Sequence, residues 1–220
     1  QHDSFYLEGN FQVNGKKIKI PRIGWIKTYE QLPIGITPKN VVISRTADEW
    51  FISFKIDCDV KPVANTSTKT AGVDLGIKML ATLSDGTKFE NPKAYKKHKA
   101  KLRMLQKKLS RQYEAAKKNG SKEKTKSGKE VIKTSINYKK TKVRLAKTHQ
   151  RIANIRLDNT HKATSYLAKN HSRVTIEDLN VSGMVKNHNL ASSILDGGFF
   201  EFKRQLIYKC KWNSLSIFAT

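Results

Sequence analysis

Two carboxylates stand out because of the segments that carry them. Asp74 sits in AGVDLG, a short apolar run with one acid near its end, and Glu177 sits in SRVTIEDLN, a second apolar run that ends in adjacent acids. Carboxylates on neighbouring strands can hold a hard divalent cation through oxygen ligands, and magnesium favours one or two of them completed by phosphate oxygens and water. Two such ions clamp the attacking and leaving oxygens of a phosphodiester. The bland alternative is that both acids are ordinary strand-end residues, because Asp-x-Gly also occurs in turns where the Asp caps the backbone. Glu177 and Asp178 are neighbours, so on a strand they face opposite ways and only one enters such a site. Asp178 is expected to cap the turn that follows.

The elements that must position these acids follow from pattern. Residues 70–90, TAGVDLGIKMLATLSDGTKFE, read as a strand, a turn at Gly76 followed by Lys78, a second strand, an Asp85-Gly86 hairpin turn and a third strand. SRVTIEDLNVSGM gives a later buried strand, residues 190–212 look helical, and SLSIFA looks like one more strand. The order is therefore β-β-β, a long helical insertion, β, α, β. That order suggests a mixed sheet with helices on its faces, an α/β fold.

Charge says what surrounds the acids. The 220 residues carry 43 Lys+Arg against 18 Asp+Glu, a formal net charge of +25. With 38% hydrophobic residues, this is not a disordered basic tail. The length suffices to bury a core. No apolar run approaches the roughly 20 residues of a membrane span, and the first residues, QHDSFYLEGNFQV, lack the order of a signal peptide. The absence of an initiator Met fits an internal cut. Cys58 and Cys210 lie far apart, giving neither a disulfide framework nor paired metal-ligand spacing, which fits a reducing cytosol. A charge this large implies a polyanionic partner, nucleic acid by default.

Nearly all of that charge has one address. Residues 93–173 hold 26 basic and 4 acidic residues, a net of +22, while the rest of the chain nets +3. The segment reads as two helices. Tyr95, His98, Leu102, Leu105, Leu109, Tyr113 and Ala116 recur at three- and four-residue spacing, as do Ile152, Ile155, Ala163, Tyr166 and Leu167. Between them KKNGSKEKTKSGKE is a loop. The object is a long antiparallel hairpin with an apolar seam inside and a basic exterior. The cations expected to follow a phosphate backbone are Lys96, Lys97, Lys101, Arg103, Lys107, Lys108, Arg111, Lys139, Lys140, Lys142, Arg144, Lys147, Arg151 and Arg156. Such contacts carry no sequence code. Self-repulsion makes a mere solvated face the weaker reading of so dense a run.

Residues 16–60 alternate apolar with polar in KKIKIPRIGWIK, NVVISRTADEW and WFISFKIDCDV, the period of half-buried strands. Pro21, Pro33, Gly35 and Pro38 punctuate them, giving an antiparallel β unit, barrel-like or a small sandwich. Trp25 and Trp50 are expected to pack that unit, with stacking on bases as the alternative. PVANTSTKT reads as a linker. The expected organisation is a β-barrel-like segment over 1–62, a linker over 63–70, and a core over 71–220 with its hairpin at about 92–170.

At this point the motifs resemble a known family. GVDLGIKMLATLSDG resembles the first motif of the RuvC-like nuclease domain in the transposon-encoded OrfB/TnpB proteins, and VTIEDLNVSGMVKN resembles the second. The resemblance puts Asp74 at the catalytic aspartate and selects Glu177 as the catalytic glutamate. KIPRIGWIK and VVISRTADEWFISFKID are similar to the β-barrel segment of that family, LQKKLSRQ and NYKKTKVRLAKTHQRIANIRLDNTHKATSYLA to its paired basic helices, and EFKRQLIYKCKW to the helix after the second motif. Coverage is roughly residues 11–218. The resemblance implies an RNase H-like (RuvC) core and an Mg2+-dependent DNA endonuclease with a guide-type RNA and target DNA as partners. It implies a cytoplasmic, nucleoid-associated, prokaryotic-type protein with no membrane contact, related to the compact type V CRISPR nucleases.

Members of the family continue into a Cys-x-x-Cys zinc ribbon and a third catalytic aspartate. This chain stops at SLSIFAT with neither, so Zn2+ is expected only in a C-terminal part beyond it, and Cys210 is expected to be a buried or half-buried thiol. The chain is expected to be a fragment or a truncated protein with little or no cleavage of its own. The competing readings are a non-catalytic RNA- or DNA-binding module of the same descent and, more weakly, a ribosome-associated basic protein. The last has no need of GVDLG and IEDLN.

Overall fold

The computed structural model describes residues 3–32, 35–57, 66–120, 122–124, 128, 130–214 and 216–219. Pro33, Cys58, the start of the expected linker (63–65) and parts of the loop between the basic helices lie outside the described residues. The chain separates into two compact units, Gln1–Val60 and Lys61–Thr220.

Among its described residues, the first unit is all β. Strands β1 (Asp3–Glu8), β2 (Gln12–Asn14), β3 (Lys17–Ile20), β4 (Gly24–Lys27), β5 (Asn40–Thr46) and β6 (Glu49–Lys55) form two antiparallel sheets, ordered β1-β5-β6 and β2-β3-β4. Alternation decides which side is buried. Ile18 and Ile20 on β3, with Val41 and Ile43 on β5, are buried, whereas Lys17 and Lys19 are exposed. Leu7, Phe11, Val13, Ile26, Ile52 and Phe54 complete one apolar core contributed by both sheets. The tryptophans do not join it, contrary to expectation: Trp25 is 50% and Trp50 58% exposed. Trp25 occupies an outward position of its strand, opposite the exposed Lys19, whereas Trp50 shares the parity of Ile52 and Phe54 but sits near the start of β6, opposite Arg45, whose guanidinium lies 5.9 Å from the Trp50 ring centroid.

The second unit is mixed α/β. It contains β7 (Thr70–Leu75), β8 (Met79–Leu83), β9 (Lys88–Glu90), α1 (Ala94–Lys118), the short ribbon β10 (Lys122–Lys124) and β11 (Glu130–Ile132), and α2 (Ile136–Asn170). β12 (Arg173–Ile176), α3 (Val181–Met184), α4 (His188–Gly197), α5 (Phe199–Trp212) and β13 (Ser216–Ala219) follow. The sheet order is β9-β8-β7-β12-β13. β7, β12 and β13 run parallel and β8 opposes its two neighbours. The Asp85-Gly86 turn forms as expected, with Thr87 N–H donating to Asp85 Oδ1 at 2.8 Å and Gly86 at φ +87.

The packing explains how so charged a chain stays folded. Ala71, Val73 and Leu75 of β7 and Val174 and Ile176 of β12 meet Ala163 and Leu167 of α2 and Phe202, Leu206 and Cys210 of α5. Leu167, Phe202 and Leu206 are fully buried, and each such side chain contributes about 1.5–3 kcal/mol. That apolar layer offsets the repulsion among the exposed lysines. α1 and α2 pack along Ala94, Leu102 and Ile152, with Tyr95, Leu145 and Ile155 beside them. At 25 and 35 residues they extend about 38 and 52 Å. Ser135 starts α2 by accepting from Tyr138 N–H at 3.1 Å, and Gly120 in the left-handed region ends the run of α1. The expected helix over 190–212 is two helices, because Gly198 at φ +67 breaks it between α4 and α5.

Candidate functional site

Adjacent strands carry the chain to both acids. β12 pairs in parallel with β7 so that Val174 lies opposite Ala71 and Ile176 opposite Val73. The ladder ends there, and Asp74 and Glu177 are the residues that immediately follow its last pair. Ile176 and Val73 share the buried face, so strand alternation turns Glu177 and Asp74 to the other one. Both acids are exposed. Among the described residues, neither carboxylate engages an ion pair or a side-chain hydrogen bond, so their oxygens are available to an incoming cation. Asp178 is different. It pairs with Lys203 of α5 at 2.6 Å, and the turn after β12 is capped instead by Asn180, whose Oδ1 accepts from Gly183 N–H at 2.9 Å. The expected cap is thus displaced by two residues, because Asn180 stands at the spacing from Gly183 that an N-cap requires. Among the described residues, no group of three His, Cys, Asp or Glu is gathered into one place.

The predicted phosphate-following cations lie mainly on the outer faces of the paired helices. Lys96, Lys97, Lys101, Arg103, Lys107, Lys108 and Arg111 on α1 and Lys139, Lys140, Lys142, Arg144, Lys147 and Arg151 on α2 are all exposed. On α1 they line a shallow trough of about 980 Å³ formed by Lys96, Lys99, Arg103, Lys107, Lys108 and Arg111 with Ala100, Met104 and Gln112. Side chains three and four positions apart on a helix sit about 5–6 Å from one another, so they form a continuous row of positive charge. Lys99 belongs to that row although the sequence reading did not single it out. Arg156 stands apart: its Nε donates to Asp196 Oδ1 at 2.8 Å.

Three further groups were not apparent in the sequence. Asp196, 4% exposed, accepts from the backbone N–H of Tyr95 and Lys96 as well as from Arg156. Lys209, 8% exposed, donates to the carbonyl of His161 and the hydroxyls of Thr164 and Ser165. Burial, then the charge of Lys169, lowers its pKa below the ordinary lysine value. Asn91 bridges the backbone of Ile77 and Lys93. Each partner lies 14 to 101 residues away except Lys93, so no local pattern could have revealed them. Cys210 is buried as expected, and burial pushes its thiol up to about 11, an inert rather than a reactive sulfur.

Fold and site define a class: a mixed α/β protein with two unengaged carboxylates at the ends of adjacent parallel strands, beside a long basic helical hairpin. Comparison with known proteins narrows the class. Residues 53–188 match the model of the family described as "Probable transposase", OrfB_IS605. The chain is 34% identical, across its whole length and 54% of the relative's, to an Escherichia coli K12 protein named "Putative RNA-guided DNA endonuclease InsQ". It is 35% identical over 85% of its length to a Streptomyces pristinaespiralis protein named "Putative RNA-guided DNA endonuclease", covering 42% of that relative. The chain belongs to the OrfB transposase family. It spans about half the length of these curated relatives. Among the described residues, no helix is long and apolar enough to cross a membrane.

Proposed function

We propose that the second unit is an RNase H-like, RuvC-type nuclease core in which Asp74 and Glu177 together hold Mg2+, and that the basic hairpin gathers a guide-type RNA and target DNA around it. The single observation that carries this reading is the β7–β12 register, whose last pair, Ile176 opposite Val73, immediately precedes both family-motif acids. The strand order supports it: three hairpin-linked strands followed by two parallel ones on the side of the first is the order of that fold. The donor set fits the ion, because two exposed carboxylates free of protein partners leave positions for water and phosphate oxygens.

When bound, the ion supplies Lewis-acid polarisation of the phosphodiester and a more acidic water. The protein's own part is positioning. The parallel ladder of β7 and β12 anchors the chain next to each carboxylate, through Val73 and Ile176. The apolar layer beneath prevents either strand from rotating its acid into the core. The trough cations on α1 offset phosphate charge that would otherwise oppose approach to an acidic site. Sequence choice falls to base pairing with the RNA, in keeping with the absence of a base code in lysine and arginine contacts. The name of each relative, an RNA-guided DNA endonuclease, supports the assignment of both nucleic acids as partners.

The test is a dissection of binding from metal use. In Asp74→Asn and Glu177→Gln, affinity for RNA is expected to stay within about twofold of wild type, since neither acid lies on the hairpin. Charge-removing changes at Arg103, Lys107 and Arg111 are expected to weaken RNA binding without altering divalent-cation binding. Loss of RNA binding in both acid variants would overturn the separation of roles.

A further inference from the structure

The root of the basic hairpin is fastened by a carboxylate that belongs to neither the acid pair nor the phosphate row. Asp196 lies near the end of α4. Its Oδ1 accepts from Tyr95 N–H at 2.9 Å and from Arg156 Nε at 2.8 Å, and its Oδ2 accepts from Tyr95 N–H at 3.0 Å and Lys96 N–H at 3.3 Å. One buried side chain therefore grips the first turn of α1 and the middle of α2. α1 has no cap of its own: Lys93, in the N-cap position at φ 47, makes no side-chain cap. A residue one hundred positions downstream does that work and places negative charge where the helix dipole favours it.

The fastening continues toward both acids. Asn91 Nδ2 donates to the Ile77 carbonyl at 3.0 Å, and Asn91 Oδ1 accepts from Lys93 N–H at 3.0 Å. Ile77 lies three residues past Asp74, in the turn closed by Gly76 N–H donating to Leu80 O at 3.3 Å. Glu177 reaches the same place from the other side: the chain after it forms α3, whose Val181 and Met184 pack on the sheet core, and then α4, which carries Asp196. Lys96 and Lys99 line both the basic trough and a cleft of about 250 Å³ whose walls include Ile77, Asn91 and Asp196. The surface offered to phosphates and the polar knot are contiguous.

We propose that Asp196 is a positioning residue that couples the hairpin to the β7–β8 turn, so that nucleic acid loaded on α1 is felt at the strand ends carrying Asp74 and Glu177. This rests on the reading of the hairpin as a nucleic-acid surface. The coupling works by ordering: a polyanion that stiffens α1 reduces opening of the knot, and the knot reduces opening of the turn.

Hydrogen exchange on the 220-residue chain reads this directly, with a 40-nucleotide stem-loop RNA as the probe at low salt. In wild type, RNA is expected to slow exchange of the amides at 75–80 about fivefold, the low end of usual coupling between sites, along with those of α1. In Asp196→Asn, and independently in Asn91→Ala, RNA still binds and still protects the exposed face of α1, but the added protection at 75–80 disappears. A purely structural role would alter basal exchange without abolishing the RNA-dependent change. Protection at 75–80 that is unchanged in either variant, or missing in RNA-bound wild type, overturns the coupling alone. Failure of wild type to bind the RNA overturns the nucleic-acid reading and the coupling with it.

Discussion

Replacing Asp196 by Ala removes at once the trans-cap of α1 and the partner of Arg156. Several costs overlap. Breaking a buried ion pair by deleting one partner costs about 3–5 kcal/mol, losing an N-cap about 1 kcal/mol, and a hydrogen bond to a charged acceptor contributes about 1.5–3 kcal/mol. They cannot be summed, because the same two oxygens serve every contact and groups in one network are not additive. Arg156 also retains 31% side-chain exposure, so water takes over part of its solvation. The expected loss is therefore about 3 kcal/mol, the lower end for a buried pair. For a unit of this size each kcal/mol shifts Tm by about 2–4 °C, so Tm falls by about 6–12 °C. Urea and thermal unfolding followed by far-ultraviolet circular dichroism report on the second unit, which contains all the helices among the described residues. Asp196→Asn, which keeps Oδ1, is expected to lose about half as much. A loss below about 1 kcal/mol in Asp196→Ala would refute the reasoning, since it would mean the α1 root is held by something other than this carboxylate.

Other consequences are simpler to state. If the six trough cations of α1 each neutralise a duplex phosphate, log K should fall against log salt with a slope of about −5, roughly a thousandfold between 50 and 200 mM; a flat dependence measured by fluorescence anisotropy would exclude the trough as the interface. The Arg204 hydrogen bond beside Glu201 holds its carboxyl down at about 2, against an ordinary value of 4.5. A depressed carboxylate stabilises the fold above its unfolded value and loses that contribution as pH falls toward 2. The Tm difference between wild type and Glu201→Gln should therefore be full at neutral pH and shrink below about 4.5, and a pH-independent difference would contradict the pairing. Lys209→Ala is expected to destabilise by about 2 kcal/mol or more, because it leaves the hydroxyls of Thr164 and Ser165 without their donor; the urea midpoint reads it, and an unchanged midpoint would show that Lys209 is dispensable to the α2–α5 contact.

How legible this was in the sequence depended on whether the partners were local. That Asp74 and Glu177 stay out of the core was readable because each is an acid beside buried apolar strand residues, Val73 and Leu75 for the one and Ile176 for the other. The hairpin strands β7–β9 and the basic helices were readable from periodicity of 2 and 3.6. β1 was not singled out, because DSFYLE is largely exposed and its pairing with β5 spans about 35 residues. Asp178 was misassigned because both it and Asn180 suit a cap, and only the turn's geometry chooses between them. The tryptophans differ from expectation because hydrophobic bulk predicts burial, while strand parity turns Trp25 outward and Trp50 stands near the start of β6, where its face is left open. Asp196, in SILDGG, reads locally as a turn residue; its partners at 95, 96 and 156 exist only in the folded chain.

In the proposed function Asp74 and Glu177 form one cation site at the end of the β7–β12 ladder. Mn2+ binding to the 220-residue chain, followed by the electron paramagnetic resonance signal of the free ion, tests it most directly. Wild type is expected to take up Mn2+ with competition by Mg2+, and Asp74→Asn and Glu177→Gln should each abolish that uptake, the double variant losing no more than either single one. Uptake that persists in both single variants, or two losses that simply add, would contradict a shared site.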